Sequence, residues 1–536
     1  MQHSFEGVSR RNLLRYAGVL GAATAITAGL GACGDGDSNS DGDSGADSGP
    51  AGKTIEATLA FTLSSAFDPM NASSAVATAV NQHVFEALID LDPITREPYL
   101  ALAGSQPAPS ADGLTWTVTL REGAKFSDGA PVTAEDVAWS FQRAMDPANK
   151  ALMAGFITFV DKVAAKDART VEFTLKHPFS LFPQRIAVIK IVPKAKTGDT
   201  AASKAFDTAP IGSGPFTVVS ANATAGVVMG INAAYNGPRP AKVEKITLRT
   251  SPDGTARLND LRGGSSQAIE AVPYLDVKAL SGGNLKVEEK QAFNHMFLMF
   301  NCTAAPFSDK RVRQALHYAI DKDKVIKTAL QGYGTAATSY LDAGNAGYQQ
   351  AGTVYNYDPE KAKRLLAEAG ASNLSFELHT TDAAFIKDSA PILIDAWKAI
   401  GVTATLNTMP SSAIYGTVVP GPNFRVLAAS GDPTTFGPDV DLLLRWFYLN
   451  QTWTKDRHRW TNDAAKQCAQ LIESAAKASG AEQKAIWKQA LDIIADEAPL
   501  YPVFHVKMVT AHDQKKLKNF QGASTTGLYF LNTSRV

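Results

Sequence analysis

One cysteine lies in a context that predicts covalent chemistry. Cys33 follows Leu30-Gly31-Ala32, and small residues directly before a cysteine are what a lipoprotein signal peptidase requires. Cleavage before Cys33 would free its amine, and the amine and the thiol would then carry lipid. The sequence therefore predicts a mature chain that begins at Cys33 and is held at a membrane surface by lipid.

Residues 1–32 have the organisation of an export signal. Arg10 and Arg11 form a twin-arginine pair, and the uncharged stretch 16–32 follows as the hydrophobic region. The alternative is a transmembrane helix, but this stretch is at the short limit for crossing a bilayer and is rich in Ala, Gly and Thr. We therefore expect residues 1–32 to be a twin-arginine lipoprotein signal peptide.

Residues 33–53 are predicted to form a disordered tether. Positions 34–52 are built almost wholly of Gly, Ser and Asp, with five Asp and no Lys or Arg, so they have nothing to bury. The segment 47–54 (DSGPAGKT) is similar to a phosphate-binding loop, but Asp47 replaces the first glycine of that pattern and no helix is predicted after it. ATP binding is therefore not expected.

The remaining chain lacks sequence motifs of catalysis or metal binding. Nine histidines are scattered without metal-ligand spacing, and there is no HExxH, CxxC or GxSxG. We expect no cofactor, no bound metal and no enzymatic activity. Four histidines have apolar neighbours, which predicts packed and hydrogen-bonded side chains: His83, His295, His317 and His505.

Charge and cysteine content exclude further classes. Residues 1–32 contain three Arg and one Glu, so the mature chain carries 49 basic and 51 acidic side chains. This balance argues against a nucleic-acid partner and against a basic membrane-binding face. Cys302 and Cys468 could form a disulfide outside the cytoplasm, but 165 residues separate them, and we expect two unpaired buried thiols.

The elements that must position a site alternate between strands and helices. Strands are predicted at 53–61, 116–120 and 171–175, and the last two are expected to share a small sheet. Helices are predicted at Ala134–Met145 behind a capping box of Thr133 and Asp136, after an N-cap at Ser308, between Asp358 and Gly370, and at 482–497. About 480 residues after the tether require two or more lobes, and the order of elements predicts an α/β protein with mixed sheets.

Several segments of the body carry a resemblance to a known family. They are 120–141 (LREGAKFSDGAPVTAEDVAWSF), 210–216 (PIGSGPF), 307–316 (FSDKRVRQAL) with 319–321 (AID), and 357–370 (YDPEKAKRLLAEAG). In these segments the chain resembles the family 5 solute-binding proteins of ABC importers, the peptide and nickel binders. The resemblance extends from about residue 54 to the C-terminus, and the independently predicted export signal agrees with it.

The resemblance implies a two-lobed clamp of the type II periplasmic-binding-protein kind. Lobe one is expected to comprise residues 54–92, 208–300 and 507–536, with an extra subdomain inserted at 93–207. Lobe two is expected to run from 301 to 506. Ligands of this family lie in the cleft between the lobes, and closure buries them.

The resemblance also suggests residues that bind the ligand. In peptide-binding members an Asp in a loop of lobe two pairs with the N-terminal ammonium of the ligand, and Asp432 matches it in the segment 427–446, which also contains Asp439 and Asp441. Asp432 either holds a cation in this way or, like Asp439, only shapes a turn. The other candidates either line the site or serve packing: Phe436, Trp446, Ser213, Gly214 and Phe67.

The expected function is that of a lipid-anchored receptor at the outer face of the cell membrane. It would capture a solute, an oligopeptide first of all, and deliver it to the permease subunits of an ABC importer without performing chemistry. We expect a monomer that contacts the membrane through its lipid alone and binds no nucleic acid. The alternatives are a binder of a nickel chelate, sugar or other small solute, and a secreted hydrolase, which the missing nucleophile and metal motifs disfavour.

Overall fold

The computed structural model describes residues 54–280 and 282–536. The predicted signal peptide, Cys33 and the tether lie outside the described residues. The fold is therefore that of the body alone.

The strands of the body confirm those predicted from residue alternation. They are β1 (Thr54–Leu59), β2 (Ile89–Leu91), β3 (Pro98–Leu100), β4 (Ala108–Pro109), β5 (Thr115–Thr119), β6 (Val160–Ala165), β7 (Thr170–Leu175), β8 (Phe216–Asn222), β9 (Gly226–Ile231), β10 (Lys245–Thr250), β11 (Ala268–Ile269), β12 (Leu285–Phe300), β13 (Gly334–Ala336), β14 (Ser375–Thr381), β15 (Thr403–Met409), β16 (Val426–Gly431), β17 (Leu500–Asp513), β18 (Leu517–Lys518) and β19 (Ser534–Arg535). β5 and β7 pair antiparallel within a four-stranded sheet of order β4-β5-β7-β6, which is the small sheet that was expected.

A large mixed sheet is built around two long antiparallel strands, β12 and β17. Its order is β15-β14-β16-β12-β17-β11-β1-β10-β9-β8, with β13 pairing to β17. On one side β11 continues from β17, and on the other β16 continues from β12. The pairing of β12 with β17 shifts register between Gln291 and His295. The two long strands therefore connect two halves of one sheet.

Helices pack against the large sheet and against the small four-stranded sheet. They are α1 (Ala75–Val84), α2 (Ala134–Met145), α3 (Phe182–Arg185), α4 (Lys194–Thr197), α5 (Thr200–Thr208), α6 (Gly254–Arg262), α7 (Val277–Leu280), α8 (Lys310–Tyr318), α9 (Lys322–Ala329), α10 (Pro359–Glu368), α11 (Ala384–Lys398), α12 (Ser411–Ala413), α13 (Val440–Tyr448), α14 (Asp463–Ala475) and α15 (Gly480–Glu497). No helix within the described residues is both long and apolar enough to cross a membrane.

The predicted starts of α2 and α10 are confirmed, whereas α15 begins at Gly480, two residues before the predicted start. At α2 the Thr133 hydroxyl accepts from the Asp136 backbone over 3.3 Å, and the Asp136 carboxylate accepts from the Thr133 backbone over 3.0 Å, so the capping box is complete. The predicted N-cap at Ser308 is wrong. The cap of α8 is Asp309, whose carboxylate accepts from the Arg311 backbone over 2.9 Å. Two adjacent residues could each cap this helix, and the side chain that reaches the first turn is the carboxylate.

The predictions for cysteine and histidine are confirmed except at two residues. Cys302 and Cys468 are unpaired; Cys468 is buried, but Cys302 is only half-buried. His83, His295 and His505 are buried and hydrogen-bonded through ring nitrogens to backbone groups. The prediction is wrong in one respect at His317, which is buried among aromatic rings but has no hydrogen-bond partner at either nitrogen within the described residues.

Candidate ligand-binding cleft

A small cavity lies where three parts of the body meet. Its volume is about 40 Å³. The loop after β1 and helix α1 form one wall. The segment before β6 and the segment after α3 form a second wall, and the loop after β16 forms a third. The lining residues are Pro69, Ala72, Thr78, Asn81, Gln82, Met153, Ala187, Val188, Lys190, Thr435 and Phe436. Because these residues are far apart in the chain, the cavity depends on how the parts come together.

Helix α1 presents two carboxamides to the cavity. Its N-terminus is fixed by Ser74, whose hydroxyl accepts from the Ala77 backbone over 3.2 Å. Two turns later Asn81 is buried, and its Nδ2 donates to the Phe67 carbonyl over 3.0 Å. The Oδ1 atom of Asn81 has no partner within the described residues. Gln82 follows and is half-buried.

The cation that lines the cavity is neutralised by a neighbouring carboxylate. The Nζ atom of Lys190 lies 2.7 Å from both carboxylate oxygens of Asp90 and 3.3 Å from Oε1 of Gln82. Asp90 is buried and also accepts from the backbone of Ala87 and Leu91. The cavity therefore carries little net charge on this side.

The loop after β16 holds Asp432 in a network of hydroxyl and backbone donors. Its Oδ1 accepts from the Thr434 backbone over 3.2 Å and so caps the short 3₁₀ turn Pro433–Thr435. Its Oδ2 accepts from the Thr525 hydroxyl over 2.8 Å and from the Thr526 backbone over 3.3 Å. Burial raises the pKa of the Asp432 carboxyl, and the hydrogen bonds from Thr434 and Thr525 oppose that rise in part. Asp432 thus joins the loop to the C-terminal segment of the chain.

The other two aspartates of this segment form ion pairs with arginines. Asp439 caps α13 and pairs with Arg185 at the end of α3. Asp441 is fully buried and lies 3.0 Å from Arg185 and 2.7 Å from Arg445. Burial alone would disfavour the charged form, but the charges of Arg445 and Arg185 lower the pKa of the Asp441 carboxyl. Both aspartates are therefore occupied by the protein's own cations.

An aromatic cluster packs across the same boundary. The rings of Phe156 and Trp446 are stacked with centroids 5.8 Å apart, and Phe436 lies 5.3 Å from Trp446 and 5.9 Å from Phe156. Phe436 lines the cavity, whereas Trp446 lies behind it. Of the three predicted aromatic site residues, Phe436 lines the cavity and Trp446 and Phe67 do not.

The remaining predicted site residues do not line the cavity. The side chain of Phe67 is buried in the core around β1, and its backbone carbonyl accepts a hydrogen bond from Asn81. Ser213 is fully buried. A Cβ atom at Gly214 would lie 2.6 Å from the carbonyl oxygen of His83, so glycine is required here by the end of α1. Close approach to the protein's own backbone accounts for this turn.

Sequence reasoning missed the three cavity residues Asn81, Gln82 and Lys190. The signals were present, because two adjacent carboxamides interrupt the apolar helix 75–84 (AVATAVNQHV), and Lys190 interrupts the apolar run 186–192 (IAVIKIV). A polar residue within a buried apolar element needs a partner, and that requirement marks it as a candidate. Within the described residues no group of three or more His, Cys, Asp and Glu could hold a metal ion.

Comparison with known proteins gives the family. Residues 97–455 match the family described as "Bacterial extracellular solute-binding proteins, family 5 Middle". The chain belongs to this family. Family 5 solute-binding proteins are the substrate-binding proteins of ABC importers; they work outside the cytoplasm and are not enzymes.

Relatives of this family 5 protein differ in the ligands for which they are named. It is 30% identical over 473 residues to the glutathione-binding protein GsiB of Escherichia coli (strain K12), which covers 86% of this chain and 91% of GsiB. The structure of DppA from Helicobacter pylori in complex with the peptide STSA superposes with a TM-score of 0.80 at 24% identity, covering 90% and 98% of the two chains. NikZ from Campylobacter jejuni in complex with Ni(L-His) gives a TM-score of 0.77 at 21% identity, covering 88% and 97%. These likenesses show the fold of the two-lobed type II clamp.

Proposed function

We propose that this family 5 protein captures an oligopeptide or a peptide-like solute and delivers it to the permease of its ABC importer. The observation that carries the proposal is the lining of the cavity, which includes Phe436 together with four uncharged polar residues: Thr78, Asn81, Gln82 and Thr435. Uncharged side chains that can both donate and accept suit peptide groups, which do the same, and an aromatic ring suits a ligand side chain. Glutathione, for which GsiB is named, and STSA, bound by DppA of H. pylori, are both peptides.

Capture of a peptide requires the lobes to separate. Ligand pockets commonly have volumes of roughly 300–1,000 Å³, so a cavity of about 40 Å³ is too small for a peptide. The contacts of Asp432 with Thr525 and of Arg185 with Asp441 are among those that tie the cleft walls together. Binding is therefore proposed to follow an opening of the clamp and to end in closure over the ligand.

We propose Asp432 as the anchor for the ligand's ammonium group, with Phe436 and Trp446 beside the ligand. Asp432 lies two residues before Thr434 and three before Thr435, which lines the cavity. A ligand ammonium would take the place of the donors from Thr525 and Thr526. The lobe boundaries proposed are those stated from the sequence: 54–92, 208–300 and 507–536 for lobe one, 93–207 for the insertion and 301–506 for lobe two.

We also propose that the body is exported by the twin-arginine route and anchored by lipid on Cys33. Arg10 and Arg11 precede the hydrophobic region, and Ala32 precedes the cysteine. In this arrangement a monomeric body moves above the membrane on its tether and meets the permease there.

Native mass spectrometry of protein purified without refolding, followed by thermal unfolding with added solutes, tests the peptide proposal. We expect a retained peptide mass, and an increase in melting temperature with STSA or glutathione, because a ligand at a hundredfold excess over its Kd stabilises the folded state by about 2.7 kcal/mol. Stabilisation by a sugar or by Ni(L-His), with no effect of any peptide, would assign the protein to the small-solute binders instead.

A further inference from the structure

Two adjacent carboxamides on α1 retain opposite hydrogen-bonding capacity at the cavity. Asn81 is 5% exposed, and its Oδ1 has no partner within residues 54–280 and 282–536. Gln82 accepts from Lys190 through Oε1, and no bond from its Nε2 is present in the same part of the chain. One carbonyl oxygen and one amide NH₂ group are therefore left over, on two consecutive residues that both line the cavity.

The orientation of both carboxamides is determined by their neighbours. The Phe67 carbonyl can only accept, so the nitrogen of Asn81 must face it and the oxygen must face away. The Lys190 ammonium can only donate, so the oxygen of Gln82 must face it and the nitrogen must face away. A flipped amide at either residue would set two acceptors or two donors against each other. The free acceptor and the free donor are thus properties of the site.

A buried acceptor without a partner is unfavourable, which indicates that the partner comes from the ligand. Desolvating an unsatisfied polar group lowers stability markedly, and native proteins keep few such groups. The charge of Lys190 is taken by Asp90, with both oxygens at 2.7 Å, so the side of the cavity formed by Asn81, Gln82 and Lys190 offers no free ion to a ligand group. The complementary ligand group is neutral and has both a donor and an acceptor.

We infer that Asn81 and Gln82 together bind the main chain of one residue of an extended peptide. In an extended chain the N–H and C=O of one residue point to the same side, as they do in the hydrogen-bonded pairs of an antiparallel sheet. The ligand N–H donates to Oδ1 of Asn81, and the ligand C=O accepts from Nε2 of Gln82. This inference rests on the proposed peptide function and adds a specificity: the residue held here must have an N–H, so proline is excluded from that position.

Titration calorimetry with the tetrapeptide STSA and its three backbone ester analogues tests this pairing. Each ester replaces one peptide N–H by oxygen. We expect one ester to bind about tenfold more weakly than STSA, as the loss of one hydrogen bond at a buried acceptor predicts. Gln82→Met should weaken STSA binding by about tenfold as well, without a change in the melting temperature of the protein alone. Gln350→Met, at an exposed position, is the matched control and should change neither quantity.

A double-mutant cycle identifies the partner of the sensitive N–H. In Asn81→Leu the sensitive ester should bind as well as STSA does, because the acceptor that distinguishes them is gone. If Asn81→Leu fails to fold, the ester series on the natural protein and Gln82→Met still decide the matter. If STSA binds but all esters bind equally and Gln82→Met has no effect, the inference is wrong and the peptide function stands. If no peptide binds and the retained solute is not a peptide, the proposed function fails, and this inference fails with it.

Discussion

Arg185 and Asp441 form an ion pair in which both side chains are fully buried, with 3.0 Å between Nη2 and Oδ2. Arg185 ends α3, whereas Asp441 lies in the first turn of α13, 256 residues later. Arg445 approaches the same carboxylate from α13 and also binds Glu473 over 2.8 Å. Charges removed from water in this way depend on one another, because each would be uncompensated without its partner.

Replacing the central carboxylate of this network should destabilise the body. Asp441→Asn leaves Arg185 and Arg445 with less compensation, and we expect the free energy of unfolding to fall by about 3 kcal/mol in urea denaturation. Glu172→Gln is the control, since its pair with Lys166 lies at the surface and should contribute little. Equal stability of the two variants would contradict the role given to Asp441.

Asp432→Ala should weaken the binding of a peptide with a free N-terminus by roughly thirtyfold or more. Truncating one partner of a buried charge pair commonly costs about 2–5 kcal/mol of binding energy. Calorimetry with STSA measures the effect, and N-acetylated STSA is the matched ligand control because it has no ammonium group. Asp439→Ala should reduce stability through the loss of its pair with Arg185 and affect ligand binding less. If the loss of affinity follows Asp439 or is the same for the acetylated peptide, Asp432 is not the anchor.

The stability of the body should contain a pH-dependent contribution from one buried lysine. Lys322 is buried and donates to the Ala337 carbonyl over 2.8 Å, and burial lowers its pKa from 10.5 to about 8. Between these two values the unfolded chain binds a proton that the folded chain does not, so stability rises with pH, by up to about 1.4 kcal/mol for each pH unit. Below pH 8 both states are charged, and this gain is absent.

Lys322→Met removes that contribution and isolates it from other groups. The difference in unfolding free energy between natural protein and variant should be constant from pH 7 to below 8 and then shift in favour of the natural protein up to pH 10. Urea denaturation at each pH measures it. A difference that does not change with pH would mean that the lysine titrates normally in the folded state.

Gly214→Ala should destabilise the body and displace the end of α1. The added Cβ would lie 2.6 Å from the carbonyl oxygen of His83 and 2.8 Å from the carbonyl carbon of Val84, which are backbone atoms that cannot rotate away. We expect a loss of about 2 kcal/mol or more in thermal or urea unfolding. Gly416→Ala is the control, since a Cβ there meets nothing within 4 Å. An unchanged stability for Gly214→Ala would show that the turn can move.

Cys33→Ala should release the protein from the membrane fraction or leave it unprocessed. The expectation follows from the motif 30–33 (LGAC), which places the cysteine where lipid is attached. Fractionation and N-terminal sequencing measure both outcomes. Retention in the membrane with a normal mature N-terminus would rule out lipid on Cys33.

Local features of the fold could be predicted from the sequence because their partners are close in the chain. The capping box of Thr133 and Asp136 joins residues three positions apart, and the left-handed Gly370 ends α10 just beyond its last turn. At Ser308 and Asp309 even local reasoning was ambiguous, since either side chain could reach the first turn. The α/β class and the two-lobed clamp came from such local patterns together with the family resemblance.

The partners of the site residues could not be predicted, because they are distant in the chain. Asp432 binds Thr525, 93 residues away, and Asp439 binds Arg185, 254 residues away. The family resemblance selected Asp432 among the three aspartates of the segment 427–446, but the sequence could not show which cations or donors surround each of them. The structure distinguishes them by the cations and donors that surround each one, and it adds Asn81, whose partner Phe67 lies 14 residues earlier in the chain.

The register shift in the pairing of β12 with β17 lies away from the residues that line the cavity. Pairing is regular from Leu285 to Gln291 and resumes at His295, with a second shift between Met296 and Phe297, so each stretch is fixed to its own half of the sheet. The residues between them, 292–294, interrupt the pairing a few positions before the proposed lobe boundary at 300, and the strand can change direction there. None of these residues lines the cavity. Substitutions in the cavity wall can therefore change which solute is recognised while the backbone that permits opening and closing stays the same, so one scaffold can serve importers of chemically different nutrients.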